Sequence, residues 1–157
     1  MLYSRSAEYA IRSIAHLAAL PPGEYALAKT IAADTAIPSH FLAKILQDLA
    51  RDGFLKSSKG PGGGFRLGQP AEEISMLRIV DAIDGAGRFD RCIGGGPECN
   101  DRVACGMHDS WMVLRSRIIG YLGGTSAADL AKALVEKRRM LSRPSRRGSV
   151  KPPTRRV

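Results

Sequence analysis

The stretch from residue 27 to residue 67 has the pattern of two short helices, a tight turn between them, and a glycine-rich hairpin. The second helix, predicted over 38–52, carries an apolar stripe at helical spacing, and Gly53 is a typical helix stop. The stripe consists of Phe41, Leu42, Ile45, Leu46 and Leu49. Two strand-like runs, 54–58 and 64–67, flank the loop sequence KGPGG, which predicts a β-hairpin. This order of elements is typical of a winged helix-turn-helix.

A winged helix-turn-helix places its second helix in the major groove of DNA. On this chain His40 and Lys44 lie away from the apolar stripe, where donors reach base edges or phosphates. The glycines of the hairpin tip let the backbone approach a phosphate or the minor groove, with Lys59 and Arg66 supplying charge. The alternative is an ordinary surface hairpin beside a solvated helix face. A Walker A loop is disfavoured because its GK[ST] ending is missing.

Four more helices are expected around this unit. The first covers 7–20, with Ser6 as its N-cap, and His16 is expected on its surface. Ser75 caps another, a long helix covers 109–122, and Ser126 caps the last. The long helix shows one apolar side, made of Trp111, Leu114, Ile118, Tyr121 and Leu122. The fold class is therefore mainly α with a small β-hairpin wing.

Charge is distributed unevenly along the 157 residues. The net charge of +9 comes from residues 137–157, which hold nine Lys and Arg and no acid. That segment is predicted to be a disordered basic tail, either simply solvated or adding nonspecific attraction to phosphate. No apolar run approaches the ~18 residues that span a bilayer, and the first residues lack a signal peptide's apolar centre. A cytoplasmic location is expected, with no membrane partner.

All three cysteines fall in one short segment, with the spacing Cys92-x6-Cys99-x5-Cys105-x2-His108. Three thiols and an imidazole are soft ligands that suit an iron-sulfur cluster or zinc. An odd count disfavours a disulfide framework. Zinc is the strongest chemical competitor, although zinc sites favour paired C-x2–4-C knuckles, and direct oxidation of metal-free thiols stays possible. No base or nucleophile constellation accompanies the segment, so an enzyme is not expected.

Several motifs together resemble the Rrf2 family of bacterial transcription regulators, across residues 1–136. They are EYAIR at 8–12, IPSHFLAKIL at 37–46, KGPGGGF at 59–65 and DAIDG at 81–85, together with the cysteines and Trp111. The resemblance implies a homodimeric winged-helix regulator whose long helix, carrying Trp111, crosses its partner. It also implies an iron-sulfur cluster that controls affinity for double-stranded DNA. A two-fold dimer is expected to bind a palindromic operator, and no small-molecule substrate is expected.

The resemblance also assigns residue roles. The family's cluster ligands correspond to Cys92, Cys99, Cys105 and His108, with His108 similar to the histidine that completes a 2Fe-2S cluster in IscR-type members. Glu8 is the alternative fourth ligand, since NsrR-type members supply a carboxylate from the partner's first helix to a 4Fe-4S cluster. Glu8 is otherwise an ordinary acid at a helix N-terminus. The DNA-contacting positions correspond to Ser39, His40, Phe41, Lys44, Lys59, Gly60 and Gly62.

These observations divide the chain into four parts. Residues 1–84 form the predicted winged helix-turn-helix domain and 85–108 the cysteine-rich cluster-binding loop. Residues 109–136 form the dimerisation helix and a C-terminal helix, and 137–157 the basic tail. The predicted function is a sequence-specific DNA-binding regulator controlled by an iron-sulfur cluster that senses redox state, nitric oxide or cluster supply. A winged-helix regulator with a structural zinc, or with metal-free cysteine thiols as the sensor, is the alternative.

Overall fold

The computed structural model describes residues 2–95, 102 and 104–142. It contains six α-helices and one two-stranded antiparallel sheet, which confirms the predicted fold class. Within these residues, no helix is long and apolar enough to cross a membrane. The elements are α1 (Arg5–Ala18), α2 (Ala28–Thr35), α3 (Ser39–Arg51), β1 (Leu55–Ser58), β2 (Gly64–Leu67), α4 (Met76–Asp84), α5 (His108–Gly124) and α6 (Ala127–Ser142), with 3-10 turns at Ala71–Glu73 and Arg88–Asp90.

Helix α1 lies at the centre of the molecule and packs against α2, α3, α4, α6 and β2. Ala7, Ala10 and Ile14 are completely buried, and the two alanines let neighbouring helices approach closely. The surrounding elements supply the rest of one continuous core. Its largest fully buried side chains are Ile14, Ile31, Leu42, Leu46, Leu49, Ile74, Ile79, Val80 and Leu122.

The N-cap of α1 is Ser4, so the prediction of Ser6 is wrong. The Ser4 hydroxyl accepts a hydrogen bond from the Ala7 backbone N–H at 3.1 Å. Ser4 is held extended by a distant partner, because its own backbone N–H donates to the Asp84 carboxylate at 2.8 Å. Local spacing allowed either serine to cap the helix, and this long-range contact selects the earlier one.

The helix-turn-helix forms as expected, with one error in the apolar stripe. Helix α2 ends at Thr35 and is capped by Ala36, a non-glycine residue in the left-handed region (φ 51°). Arg12 of α1 donates to the carbonyl of Thr35. Four members of the predicted stripe of α3, Leu42, Ile45, Leu46 and Leu49, are buried. Phe41 is 55% exposed, so its assignment to the core is wrong. It lies in the first turn, at the edge of the stripe.

The hairpin is confirmed, and it is attached to the helical core at its base. Leu55 pairs with Leu67 and Ser58 with Gly64 across the two strands. Ala26, just before α2, forms two backbone hydrogen bonds of 2.9 Å with Phe65 of β2. These bonds hold the wing beside the helix-turn-helix.

Helices α4 and α6 begin side by side. The predicted caps are confirmed, since the Ser75 hydroxyl accepts from Arg78 and the Ser126 hydroxyl accepts from Asp129. The Asp129 carboxylate accepts in turn from Ser126, which completes a capping box. Backbone hydrogen bonds join the N-terminal ends of the two helices. The Met76 N–H donates to the Thr125 carbonyl, and the Ala127 N–H donates to the Ile74 carbonyl.

Helix α6 continues to Ser142 and so includes the first six residues of the predicted tail. The prediction of disorder is therefore wrong for residues 137–142. Their sequence, KRRMLS, is rich in strong helix formers, and α6 packs against α1, which stabilises the helix further. The rest of the predicted tail, 143–157, lies outside the described residues.

His16 is 2% exposed, so its predicted place on the helix surface is wrong. Its Nε2 lies 3.6 Å from Asp34 of α2, and its Nδ1 lies 3.4 Å from the guanidinium of Arg138 in α6. Burial lowers the pKa of His16; the Asp34 carboxylate opposes this shift and Arg138 adds to it. His16 therefore joins three helices in a mainly neutral form near pH 7.

We expect His16 to make the fold sensitive to acid. The unfolded chain takes up this proton near pH ~6.5, whereas the folded chain resists it, so stability is present above that pH and lost below it. The slope contributed by one proton is at most about 1.4 kcal/mol per pH unit. Urea unfolding of His16→Gln between pH 7.5 and 5.5 should show a smaller slope than the native chain. Equal slopes in the native and His16→Gln chains would contradict the prediction.

Candidate nucleic-acid interface and metal centre

The predicted DNA-contacting side chains of α3 share the exposed side of its first two turns. Ser39, His40, Phe41 and Lys44 are all exposed, and the buried stripe on the opposite side fixes the helix to the core. The His40 and Phe41 rings lie 4.2 Å apart, centroid to centroid. The N-terminal end of α3 thus presents an aromatic pair and a cation, which suits contact with base edges and phosphates.

The tip of the wing exposes backbone as the sequence predicts. Lys59, Gly60 and Gly62 are exposed, and both glycines have positive φ (91° and 76°). A Cβ built on either would meet nothing within 4 Å. These positions therefore leave open space beside Lys59, where a phosphate can approach the chain.

The next two glycines have a different role, which sequence reasoning missed. A Cβ on Gly63 would lie 2.4 Å from the Ser58 carbonyl oxygen, and one on Gly64 would lie 2.2 Å from that of Ala26. They permit close packing of the wing against its own chain. Arg66 also belongs to the wing's base, because its guanidinium lies over the ring of Tyr25 at 5.2 Å. The expectation that Arg66 supplies charge to a nucleic-acid contact stays a prediction.

The structure brings two of the three cysteines together. The sulfur atoms of Cys92 and Cys105 are 4.0 Å apart, with Cys92 half-buried and Cys105 exposed. His108, the first residue of α5, is 6% exposed, and its backbone N–H donates to the Cys105 carbonyl at 2.9 Å. Cys99 lies outside the described residues, and within them no three His, Cys, Asp or Glu side chains form a metal-binding group.

A buried carboxylate anchors the start of this segment. The side chain of Asp84 is only 4% exposed, accepts from the Ser4 N–H and hydroxyl, and pairs with Arg88 at 3.2 Å. Arg88 also donates to the carbonyl of Leu2. Asp84 belongs to the DAIDG motif, but no role was predicted for it from the sequence. An acid four residues before an arginine was the available signal. It links the N-terminus of α1 to the chain leading to Cys92.

A second ion pair fixes the same segment to α5. Arg115 of α5 pairs with Asp90, two residues before Cys92. Burial raises the pKa of Asp81 on α4, and the Asp90 carboxylate adds to that shift. The backbone that leads to Cys92 is therefore attached to α4 through the Asp84–Arg88 pair and to α5 through the Asp90–Arg115 pair.

Glu8 lies in the first turn of α1, 3.4 Å from Arg12, as an ordinary helix ion pair would. It also acts on Tyr3: burial raises the pKa of Tyr3, and the Glu8 carboxylate and Tyr121 add to that shift. Within one chain Glu8 thus interacts with Arg12 and Tyr3. Its predicted role concerns a partner chain and stays a prediction.

Helix α5 buries little of its apolar surface on its own chain. Its buried residues are His108 and Leu122, while Trp111 is half-buried. Gly123 near its end lies against Leu77 of α4. The large apolar side chains left 36–66% exposed on this helix are Met112, Val113, Leu114 and Tyr121.

Taken together, the helix-turn-helix, the anchored wing and the cysteine segment beside a long helix define a winged-helix DNA-binding regulator. A model of the Rrf2 family, described as an iron-dependent transcriptional regulator, matches residues 3–133. The chain belongs to the Rrf2 family. It is a DNA-binding transcription regulator and not an enzyme, as predicted.

Individual proteins agree with this assignment. A protein of Mycobacterium tuberculosis (strain H37Rv) named as an HTH-type transcriptional regulator is 34% identical over 131 residues, covering 83% of this chain and 81% of that protein. The regulator IscR of Photobacterium profundum is 33% identical over 92 residues, covering 59% of this chain and 53% of that protein.

Solved structures share the fold. CymR, the global cysteine regulator of B. subtilis, superposes with a TM-score of 0.72 at 22% identity, over 83% of this chain and 95% of that one. IscR of T. potens gives a TM-score of 0.67 at 21% identity, over 86% and 89%.

The two kinds of wing glycine should respond differently to alanine. Gly60→Ala places a side chain at positive φ in open space, so it should cost only the ~1–2 kcal/mol of a left-handed residue. Gly64→Ala adds a collision with the Ala26 backbone and should cost clearly more. Urea unfolding of both variants measures the difference, and equal costs would contradict the packing role of Gly64.

Proposed function

We propose that this chain is a sequence-specific transcription regulator whose affinity for DNA is controlled by an iron-sulfur cluster. The observation that carries the proposal is the pair of sulfur atoms, on Cys92 and Cys105, 4.0 Å apart at the N-terminus of α5. Two thiols converging from the two ends of the cysteine segment suit ligation of one inorganic centre. Cys99 lies between them in the sequence and supplies a third thiol on the same segment.

The donor set suits such a cluster. Cys92, Cys99 and Cys105 would provide three thiolates, and His108, buried and one turn from Cys105, would complete a 2Fe-2S site. Glu8 of a partner chain, completing a 4Fe-4S site, is the second choice. A bound cluster would supply a charge and redox state that change with oxidant or nitric oxide.

The family and the relatives of this chain support iron chemistry. The family model is described as iron-dependent, and proteins named IscR are among the relatives. CymR, named as a cysteine regulator, shares the fold and keeps metal-free thiol sensing as the alternative. A structural zinc on the same ligands is the other alternative.

The packing supports a route from the cysteine segment to DNA. Asp84 holds Ser4 at the start of α1, and α1 packs directly against the recognition helix α3. A ligand that repositions the segment after Asp84 would therefore act on α1 and, through it, on α3. This route uses only contacts within one chain.

The exposed apolar residues of α5 support a homodimer. A patch of this kind on a soluble helix marks an interaction surface, and a two-fold axis lets α5 cover its own copy. A dimer would present two α3 helices to half-sites ~34 Å apart on a palindromic operator.

DNA recognition should separate into base and phosphate contributions. Lys59→Ala should weaken binding to all sequences and reduce the slope of log affinity against log salt by about 1, because Lys59 is placed to contact phosphate. Lys44→Ala should lower affinity and also relax sequence preference. The control Lys132→Ala alters an exposed lysine on α6 and should change neither quantity. Gel shifts with selected genomic fragments measure both, and the absence of any sequence preference in every metal state would overturn the regulator's specificity.

Cluster loading tests the ligands. Anaerobically purified native chain should contain iron and acid-labile sulfide and absorb visible light. Cys92→Ala, Cys99→Ala and Cys105→Ala should each abolish loading, His108→Ala should weaken or alter it, and Glu8→Ala should change it little.

Three outcomes would redirect the proposal. Reversed effects of the His108 and Glu8 variants would move the fourth ligand to α1. One zinc per colourless chain would favour the structural-zinc alternative. The iron-sulfur proposal would fail if two results were found together. The purified protein would be colourless and bind no iron after reconstitution, and the cysteine variants would regulate their operator as the native chain does.

A further inference from the structure

We propose that Cys92 and Cys105 of the cluster-free chain form an intramolecular disulfide with each other when they meet a peroxide, leaving Cys99 outside the bond. A consequence, which rests on the proposed function, is that this disulfide blocks cluster loading until a thiol reductant restores the two ligands. Reversible oxidation of these two thiols then controls whether the chain can bind its cluster.

The pairing follows from the distance between the sulfur atoms. At 4.0 Å they are already in contact, and bond formation at ~2.05 Å requires a combined movement of about 2 Å. The surroundings allow that movement. Glycines lie beside both cysteines in the sequence, since Gly94 and Gly95 come after Cys92 and Gly106 comes directly after Cys105. Gly95 has a φ of 87°, and a Cβ on Gly106 would meet nothing within 4 Å, so the backbone there has room to adjust.

Exposure of the two thiols assigns the order of events. Cys105 is exposed and reacts first: its sulfur attacks one peroxide oxygen, the O–O bond breaks, and a sulfenic acid and one water form. The half-buried Cys92 sulfur then attacks the sulfenic sulfur, and the S–O bond breaks with release of a second water. Two thiols are oxidised and one hydrogen peroxide is reduced to two waters.

The bond would connect two segments that are already hydrogen-bonded turns. The Cys92 carbonyl accepts from Gly95 at 3.1 Å, and the Cys105 carbonyl accepts from His108 at 2.9 Å. Closure therefore joins the chain after α4 directly to the start of α5. It uses two of the proposed cluster ligands, so a disulfide and a cluster exclude each other.

Loop length makes the prediction diagnostic. Cys92 and Cys105 are 13 positions apart, whereas Cys99 is seven positions from the first and six from the second. In an unfolded chain the shorter loops close with less loss of entropy, so pairs with Cys99 are favoured. Dominance of the longest loop can come only from folded geometry that brings its two ends together.

The test uses full-length, metal-free, reduced chain exposed to stoichiometric hydrogen peroxide. Mass spectrometry of the intact monomer should show the loss of two hydrogen atoms, and peptide mapping should find Cys92 linked to Cys105 as the major bond. Cys99→Ser should form the same bond, while Cys92→Ser and Cys105→Ser should not. The native chain in urea should shift towards pairs with Cys99. A major bond to Cys99 in the folded chain, or only intermolecular bonds, would overturn the inference.

A second arm separates this inference from the proposed function. Oxidised and reduced chains are each supplied with iron and sulfide anaerobically, and iron per chain is measured before and after dithiothreitol. The oxidised chain should load at least about tenfold less iron, and the reductant should restore loading. If the disulfide forms but the reduced chain also binds no iron, the cluster proposal fails while the pairing stands. If the reduced chain loads iron but no disulfide forms, the pairing fails alone.

Discussion

Burial of α1 is the constraint on which the rest of the structure depends. The helix is surrounded by α2, α3, α4, α6 and β2, and Ala7, Ala10 and Ile14 have no exposed surface. Such packing tolerates neither a larger side chain nor a gap without cost. The recognition helix, the wing and α4 are therefore all positioned against one central element.

Helix α1 is joined to both proposed functional regions, because it packs against α3 and its N-cap Ser4 is hydrogen-bonded to Asp84. The exposed side of α3 faces away from the core, and the cysteine segment begins where Asp84 holds the N-terminus of α1. A buried carboxylate with several hydrogen bonds is costly to disrupt, which makes this junction rigid. The proposed link between the thiols and the DNA-binding half therefore runs through this junction.

Sequence reasoning succeeded where the signal was local. The apolar periodicity of α3, the glycine-rich hairpin and the caps at Ser75 and Ser126 depend on residues within a few positions of one another. It failed where a distant residue decides. Asp84 selects Ser4 over Ser6 as a cap, and α2 with α6 encloses His16.

The wing shows the same division within five residues. Its glycine content predicted a tight hairpin, and Gly60 and Gly62 behave as expected at the open tip. The requirement for glycine at position 64 comes from the Ala26 backbone, which approaches only in the folded chain. The guanidinium of Arg66 likewise lies over the ring of Tyr25, a residue distant from it in the sequence.

The sequence by itself determined the order of helices, the winged helix-turn-helix and the presence of three thiols with a histidine in one short segment. Those features depend on periodicity, capping and spacing, which act over a few residues. Only the tertiary structure decided that the sulfur atoms of Cys92 and Cys105 lie close together, which serine caps α1 and how far α6 extends. Each of these depends on the free energy of contacts between residues far apart in the chain, and sequence spacing carries no direct record of such distances.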